Sequence, residues 1–213
     1  NEHQNNPSGQ YTFAARINQL ASPKPQQYAL AKRTRRLPNN PCLSHPGARR
    51  AIGDAVLAAL ANGSPFNTKY ADWKHPPKIL WVTQWDGRHM CQCDRCTAVR
   101  EAEGSQSALW VMAANEIAER VEKDYPDVLI GIFAYLHTKQ PPRTVRPRDN
   151  VLVYMAFLDR DHGTPIPELP TLHDVVQGWC NIGRYVYAWD YNTNFRNFVK
   201  PHPNYFVQPE SIR

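Results

Sequence analysis

Three observations predict an α/β fold with a parallel sheet. Short apolar runs alternate with segments of helical periodicity through most of the 213 residues. The segments that link successive runs are long enough for the crossovers that parallel strands require. Polar and aromatic residues follow each run, which is typical of strand carboxyl ends in such folds. We therefore predict a partial (β/α)8 barrel of the TIM type. A doubly wound sheet is the alternative, although no glycine-rich phosphate loop supports it.

The expected elements can be placed in chain order. Buried strands are expected where apolar runs lie between turn signals, at 78–83, 128–135, 150–157 and 184–189, with another near Tyr205–Val207. Helices are expected where apolar residues recur at helical spacing, at 44–62, 105–124 and 172–180. Ser44 is a suitable N-cap for the first helix, and Pro46 suits its first turn.

The chain divides into two regions. Residues 1–44 are expected to be mostly irregular, because prolines interrupt any long element. Residues 45–213 would form the barrel domain, truncated at its C-terminal end. Because the chain starts at Asn1 rather than Met, we expect a piece of a longer protein, with further domains and any targeting signal outside it.

Composition limits the classes of function. The chain is 42% hydrophobic and 11% aromatic, and no apolar run reaches the length of about 20 residues that a membrane-spanning helix needs. The net charge is +6, with basic runs at 32–36, 49–50 and 143–148. Such runs can mark a nucleic-acid surface, or they can lie on a solvated face. We favour the solvated face, so nucleic acid is an unlikely partner.

Side chains suited to sugar binding follow the predicted strands. Aromatic rings stack on pyranose faces, and two carboxylates that flank a glycosidic bond can serve as acid and base or as acid and nucleophile. Asp86 and Asp190 are the predicted catalytic pair, with Asp159 and Asp161 as second choices. The predicted substrate-binding residues are Trp85, Tyr135, His137, Trp189, Tyr191 and Asn194. Asp86 could also simply form a turn, and Asp190 could cap a helix.

The positions of four cysteines suggest a cross-link between two separate parts of the chain. Cys91, Cys93 and Cys96 follow the first predicted strand, and Cys42 lies in the loop before the first helix. Together they could form a four-sulfur zinc site, which would be structural because it leaves no open position for water. One or two disulfides, or free buried thiols, are the alternatives. Cys180 is expected in the core, beside Trp179.

Several motifs in the same order resemble a bacterial family called domain of unknown function 4838. The matching stretches are 41–46, 85–96, 125–127 with 134–135, 187–195 and 201–204, which read PCLSHP, WDGRHMCQCDRC, YPD with AY, YAWDYNTNF and PHPN. The resemblance runs from about Cys42 to the end of the chain. One departure is that Arg88, His89 and Met90 follow Gly87, where the family often has a glycine-rich run.

The resemblance implies a carbohydrate-active barrel. The family is similar to glycoside-hydrolase barrels related to hexosaminidases and α-glucuronidases, and its members look like exported, multidomain proteins that process polysaccharides. The expected function is therefore a glycoside hydrolase acting on a polysaccharide or oligosaccharide at a secreted, periplasmic or cell-surface location. The alternatives are a non-catalytic carbohydrate-binding barrel and, less favoured, a zinc-clipped nucleic-acid-binding domain.

Overall fold

A computed structural model describes residues 11–14, 28–31, 35–62, 78–84, 90–157, 160–161 and 163–191, with side chains from residue 41 onward. The strands are β1 (Tyr11–Ala14), β2 (Tyr28–Ala31), β3 (Arg35–Pro41), β4 (Ile79–Thr83), β5 (Leu129–Ala134), β6 (Val151–Ala156) and β7 (Tyr185–Trp189). The α-helices are α1 (Pro46–Asn62), α2 (Asp94–Glu103), α3 (Ser107–Val121) and α4 (Pro170–Cys180).

The main sheet is parallel throughout. Its five strands lie in the order β1-β4-β5-β6-β7, and each neighbouring pair is parallel. The predicted α/β class and its four central strands are confirmed. Because all strands point the same way, their carboxyl ends lie along one edge of the sheet.

The two faces of the sheet differ in composition because side chains alternate along each strand. One face carries aliphatic residues such as Leu80, Ile130 and Val153, which pack in one core with residues of α1, α3 and α4. The other face is aromatic and includes Trp81, whose ring lies over Gly131. A Cβ atom on that glycine would stand 2.3 Å from the nearest ring atom, so the sheet needs a glycine there.

The predicted helices form with slightly different ends. The apolar stripe of α3 is buried from Ala108 to Val121, as its periodicity predicts. The hydroxyls of Ser105 and Ser107, at its start, both donate to the Gln140 carbonyl, at 2.7 and 2.6 Å. These bonds anchor the amino end of α3 to the link between β5 and β6.

Three features differ from the sequence-based expectations. The N-terminal region holds β1 in the main sheet and an antiparallel pair of β2 with β3, although it is expected to be mostly irregular. Helix α2 is not predicted, because it is polar and buries only Cys96 and Glu103. Cys180 is exposed rather than in the core, and its neighbour Trp179 is the buried residue.

The expected strand at 205–207 lies outside the described residues. Among the described helices, none combines the length and apolar character needed to cross a bilayer.

Candidate functional site

The structure brings the four predicted cysteines into one cluster. Cys42 follows β3, Cys91 and Cys93 precede α2, and Cys96 lies in its first turn. Their four sulfur atoms lie within 4.8 Å of one another, a group that could hold a metal ion. Cys93 is half-buried and the other three are buried. The cluster therefore joins the chain before α1 to the chain before α2.

Local backbone structure presents these sulfurs. After Cys42 the chain turns at once, with the His45 amide donating to the Cys42 carbonyl at 2.9 Å. Cys93 is extended at the N-cap of α2, and its carbonyl accepts the Thr97 amide at 2.9 Å. The CxCxxC spacing thus wraps three thiols around the amino end of a helix.

None of the four thiols forms a disulfide, and they interact with one another. The Cys42 sulfur lies 3.6 Å from that of Cys93 and 3.8 Å from that of Cys96. Both distances are far longer than a disulfide bond of about 2.05 Å. Hydrogen bonds from Cys91 and Cys96 lower the pKa of the Cys42 thiol, and a hydrogen bond to Cys42 raises that of Cys96.

Ser44 belongs to the same cluster, although sequence reasoning noted it only as a helix cap. Its hydroxyl oxygen lies 3.1 Å from the Cys96 sulfur, 3.4 Å from Cys42 and 3.6 Å from Cys93. A hydroxyl in contact with three sulfurs can stabilise a thiolate by hydrogen bonding.

The second group of interest lies at the carboxyl edge of the sheet. Asp190 directly follows β7, and its Oδ2 lies 3.1 Å from Nη1 of Arg160, which lies beyond the end of β6. Its Oδ1 accepts the amide of Tyr191 at 3.0 Å. The side chain of Asp190 is 26% exposed and that of Arg160 only 1%. Sequence reasoning missed Arg160, although its position after a strand is the signal that could have found it.

Aromatic rings extend from this edge across the sheet. The Trp189 ring lies 5.9 Å from that of Tyr191 and 5.5 Å from that of Tyr154, measured between centroids. Tyr154 in turn stacks on Trp81 at 5.1 Å, and Phe133 meets Trp189 edge-on at 5.8 Å. The predicted residues Trp189 and Tyr191 are thus the outer members of a continuous aromatic ladder.

Tyr135 and His137 follow β5, as predicted, but a local network holds their segment. The Gln84 amide donates to the Thr138 hydroxyl at 2.8 Å and to the Tyr135 carbonyl at 3.2 Å. Leu136 takes a positive φ of 51° within this turn. The network ties the end of β5 to the end of β4.

His137 lines a small pocket beside the cysteine cluster. Gln84, Gln106, Cys91 and Cys96 are among its other lining residues. Burial lowers the pKa of His137, because desolvation penalises the imidazolium form. The structure therefore places His137 between the end of β5 and the cysteine cluster.

Other predicted site residues fall outside the described part of the chain. These are Trp85, Asp86, Asp159 and Asn194. Asp161 is described, and its carboxylate accepts the Gly163 amide and the Thr164 hydroxyl, both at 2.8 Å. This turn-forming role makes Asp161 a weaker catalytic candidate than Asp190.

The basic run at 143–148 has structural partners. Arg143 donates to the carbonyls of Glu101 and Ala102 near the end of α2, at 3.4 and 3.2 Å. Arg148 forms an ion pair with Glu122 at 2.8 Å. These guanidinium groups thus satisfy backbone and carboxylate acceptors of the same domain.

The fold and the cluster define a parallel α/β domain with a four-cysteine group beside the carboxyl edge of its sheet. The family model described as domain of unknown function (DUF4838) matches residues 3–213, so the chain belongs to that family. No curated protein matches the sequence.

Proposed function

We propose that this domain is a partial (β/α)8 barrel of a glycoside-hydrolase-like protein that acts on a polysaccharide or oligosaccharide. The observation that carries the proposal is the placement of Asp190 between Trp189 and Tyr191 at the carboxyl edge of a parallel sheet. Aromatic rings suit a sugar because they cover its apolar face, and a carboxylate at the same sheet edge can act on the glycosidic bond.

The order of the strands supports a barrel. In the five-stranded sheet, successive strands along the chain are neighbours, without the reversal that marks a doubly wound sheet. The helices cover the aliphatic face, and the aromatic face would point into the barrel. Tyr187, on strand β7, is 47% exposed, which leaves room on that face for further strands of the polypeptide.

The proposed chemistry needs two carboxyl groups. One protonates the leaving oxygen, and the other stabilises or attacks the oxocarbenium-like centre. Asp190 is one member, and Asp86, after β4, is proposed as the other from its sequence position. Tyr135 and His137 are proposed as substrate contacts at the same edge, together with Trp85 and Asn194.

We also propose structural zinc at the four cysteines. A tetrahedral site with Zn–S bonds of about 2.3 Å has sulfur–sulfur edges of about 3.8 Å. The separations of the Cys42 sulfur from those of Cys93 and Cys96, 3.6 and 3.8 Å, fit this geometry. Four thiolates leave no position for water, so the metal would hold the loop before α2 rather than take part in hydrolysis.

A non-catalytic carbohydrate-binding barrel is the second candidate, because the aromatic ladder alone would support sugar binding. It predicts retention of glycans without product release. A nucleic-acid-binding domain is less supported, because Arg143 and Arg148 have intramolecular partners. An exported protein with further domains in the same polypeptide remains our proposal for location and context.

The test is release of reducing sugar from a panel of polysaccharides by the full-length gene product. Asp86→Asn and Asp190→Asn are compared with Asp149→Asn, a control in an exposed ion pair with Arg184. The proposal expects release that both site variants reduce by at least roughly a hundred-fold and the control leaves intact. Glycan binding without release would favour the second candidate, and neither binding nor release would overturn the carbohydrate proposal.

A further inference from the structure

We propose that a single buried water molecule bridges Gln84, Gln106 and His137 and holds the His137 ring in its Nδ1–H tautomer. Within the described part of the chain, each of these side chains has a buried polar atom without a hydrogen-bond partner. All three line one small cavity, which lies between the carboxyl ends of β4 and β5 and the amino end of α3. The size of that cavity and the chemistry of its wall select the occupant.

The atoms that lack a partner are concentrated at this cavity. Among the described residues, such buried side-chain atoms belong to Gln84, Gln106, His137, Asn150 and Arg160, and the first three of these residues line it. The atoms concerned are two amide oxygens, both Oε1, and the Nδ1 nitrogen of the imidazole. Leaving a buried polar atom unsatisfied is costly, so a partner is expected inside the cavity.

The surrounding structure fixes which atoms need that partner. The amide nitrogen of Gln84 donates to the Thr138 hydroxyl at 2.8 Å and to the Tyr135 carbonyl at 3.2 Å, so its Oε1 is the end left to accept. Gln106 is 5% exposed and is the N-cap residue of α3. Gln106 and His137 both lie in the stretch 90–157, which is described without a gap. The three side chains are thus held by well-defined elements.

The volume and the lining of the cavity fit water. The cavity has a volume of about 10 Å³, close to the roughly 10–15 Å³ that one water molecule needs. No carboxylate is among the described lining residues, so the site lacks the charged oxygen ligands that hard cations prefer. Other lining side chains, such as Leu109 and Met90, are apolar or carry sulfur, which is a weak hydrogen-bonding atom. One water is therefore the partner that fits.

The donors and acceptors allow one arrangement of hydrogen bonds. Both amide oxygens can only accept, so they take the two hydrogens of the water. The third contact must then run the other way, with Nδ1–H of His137 donating to the water oxygen. In the neutral ring, which burial favours by lowering the pKa of His137, this leaves a lone pair on Nε2. His137 would then contact substrate as an acceptor through Nε2, a step that rests on the proposed function.

A high-resolution crystal structure of the protein, grown in rubidium chloride, tests the occupant. We expect one density peak at hydrogen-bonding distance from the three atoms, about 2.5–3.2 Å, without anomalous signal from rubidium. An empty cavity, in maps that show other buried waters, would overturn the proposal. A rubidium peak would also overturn it, because the site would then hold a cation.

Two-bond ¹H–¹⁵N correlation spectra of the histidine rings at neutral pH test the tautomer. The signal of His137 is the one that disappears in His137→Gln. We expect the Nδ1–H form, whereas a solvent-exposed imidazole favours the Nε2–H form. An Nε2–H ring in the wild-type protein would overturn the proposal.

A matched pair of glutamine variants tests the bridge. Gln106→Met removes one acceptor at nearly constant side-chain volume, so the density peak and the preference for Nδ1–H should both be lost. Gln177→Met is the control, because Gln177 is exposed on α4 and should leave both unchanged. An unaltered peak and tautomer in Gln106→Met would contradict the bridge, and if this variant fails to fold, the two wild-type measurements decide. None of these measurements uses a carbohydrate, so their outcome is separate from that of the proposed function.

Discussion

The cysteine cluster and the strand edge around Asp190 are assembled in different ways. Three of the four thiols come from one short stretch, 91–96, so local spacing nearly builds the cluster. At the edge, Arg160 and Asp190 meet only because β6 and β7 are neighbours in the parallel sheet. We therefore expect damage to the cluster to affect folding, and damage to the edge to affect both stability and chemistry.

The largest expected effect is the loss of metal binding and of thermal stability when a cysteine of the cluster is replaced. Cys42→Ser should abolish tight metal binding and lower the melting temperature by at least about 10 °C, because structural zinc contributes binding energy directly to folding. Metal content and thermal unfolding of the purified protein measure both effects. Cys180→Ser is the control, because that thiol is exposed and lies outside the cluster. Unchanged metal content and melting in Cys42→Ser would refute the metal proposal.

The second-largest expected effect is the loss of stability when Arg160, the buried cation of the ion pair at the strand edge, is replaced. Arg160→Met leaves the Asp190 carboxylate, which is itself 26% exposed, without the guanidinium and should lower the free energy of unfolding by about 1–3 kcal/mol. Arg184→Met, in an exposed pair, should change it by at most about 1 kcal/mol. Urea denaturation of the two variants measures the contrast. Equal losses of unfolding free energy in Arg160→Met and Arg184→Met would show that burial does not determine how much an ion pair stabilises the fold.

A smaller effect is expected on the aromatic face. Gly131→Ala puts a methyl group 2.3 Å from the Trp81 ring and should cost about 1–3 kcal/mol of stability. Gly53→Ala is the matched control, because its new methyl would meet the movable end of Arg120, and alanine favours the helix. Chemical denaturation should show a loss for Gly131→Ala alone. A stable Gly131→Ala would mean that the ring moves aside freely.

The smallest effect involves His137, which lies between the two regions. Burial lowers the pKa of this side chain below its ordinary value of 6.5. Below pH 6.5 the unfolded chain therefore binds a proton that the folded protein does not. The contribution of neutral, buried His137 to the free energy of unfolding is therefore present above pH 6.5 and is lost as the pH falls towards the pKa of the folded state. His137→Gln should flatten the change in unfolding free energy between pH 7 and pH 5, and an unaltered slope would contradict this assignment.

The sequence predicts the central fold well because strong apolar patterns determine it. The four central strands and helices α1, α3 and α4 follow such patterns. Helix α2 has almost no apolar stripe, so its position depends on the cysteine cluster rather than on periodicity. The prolines in 1–44 suggest irregular structure, yet β3 includes Pro38 and Pro41 in a two-stranded pair outside the main sheet.

The candidate site is predictable only in part, for a similar reason. The CxCxxC spacing indicates the cluster directly, and Cys42 is recognisable as its fourth thiol. The ion pair of Arg160 with Asp190 is not visible in the sequence, because a contact between the ends of two strands depends on their register and on burial. The contact of Ser44 with three sulfurs likewise depends on the tertiary fold.

The cluster joins two points far apart in the chain, since Cys42 and Cys96 are 54 residues apart. A metal held there would act as a reversible cross-link across a long loop, worth about 4 kcal/mol in the chain-entropy treatment of cross-links. Unlike a covalent bridge, this link is governed by mass action. Each tenfold fall in free metal would cost the folded state about 1.4 kcal/mol while the site remains near saturation. The stability of the domain would then report the metal supply of its surroundings.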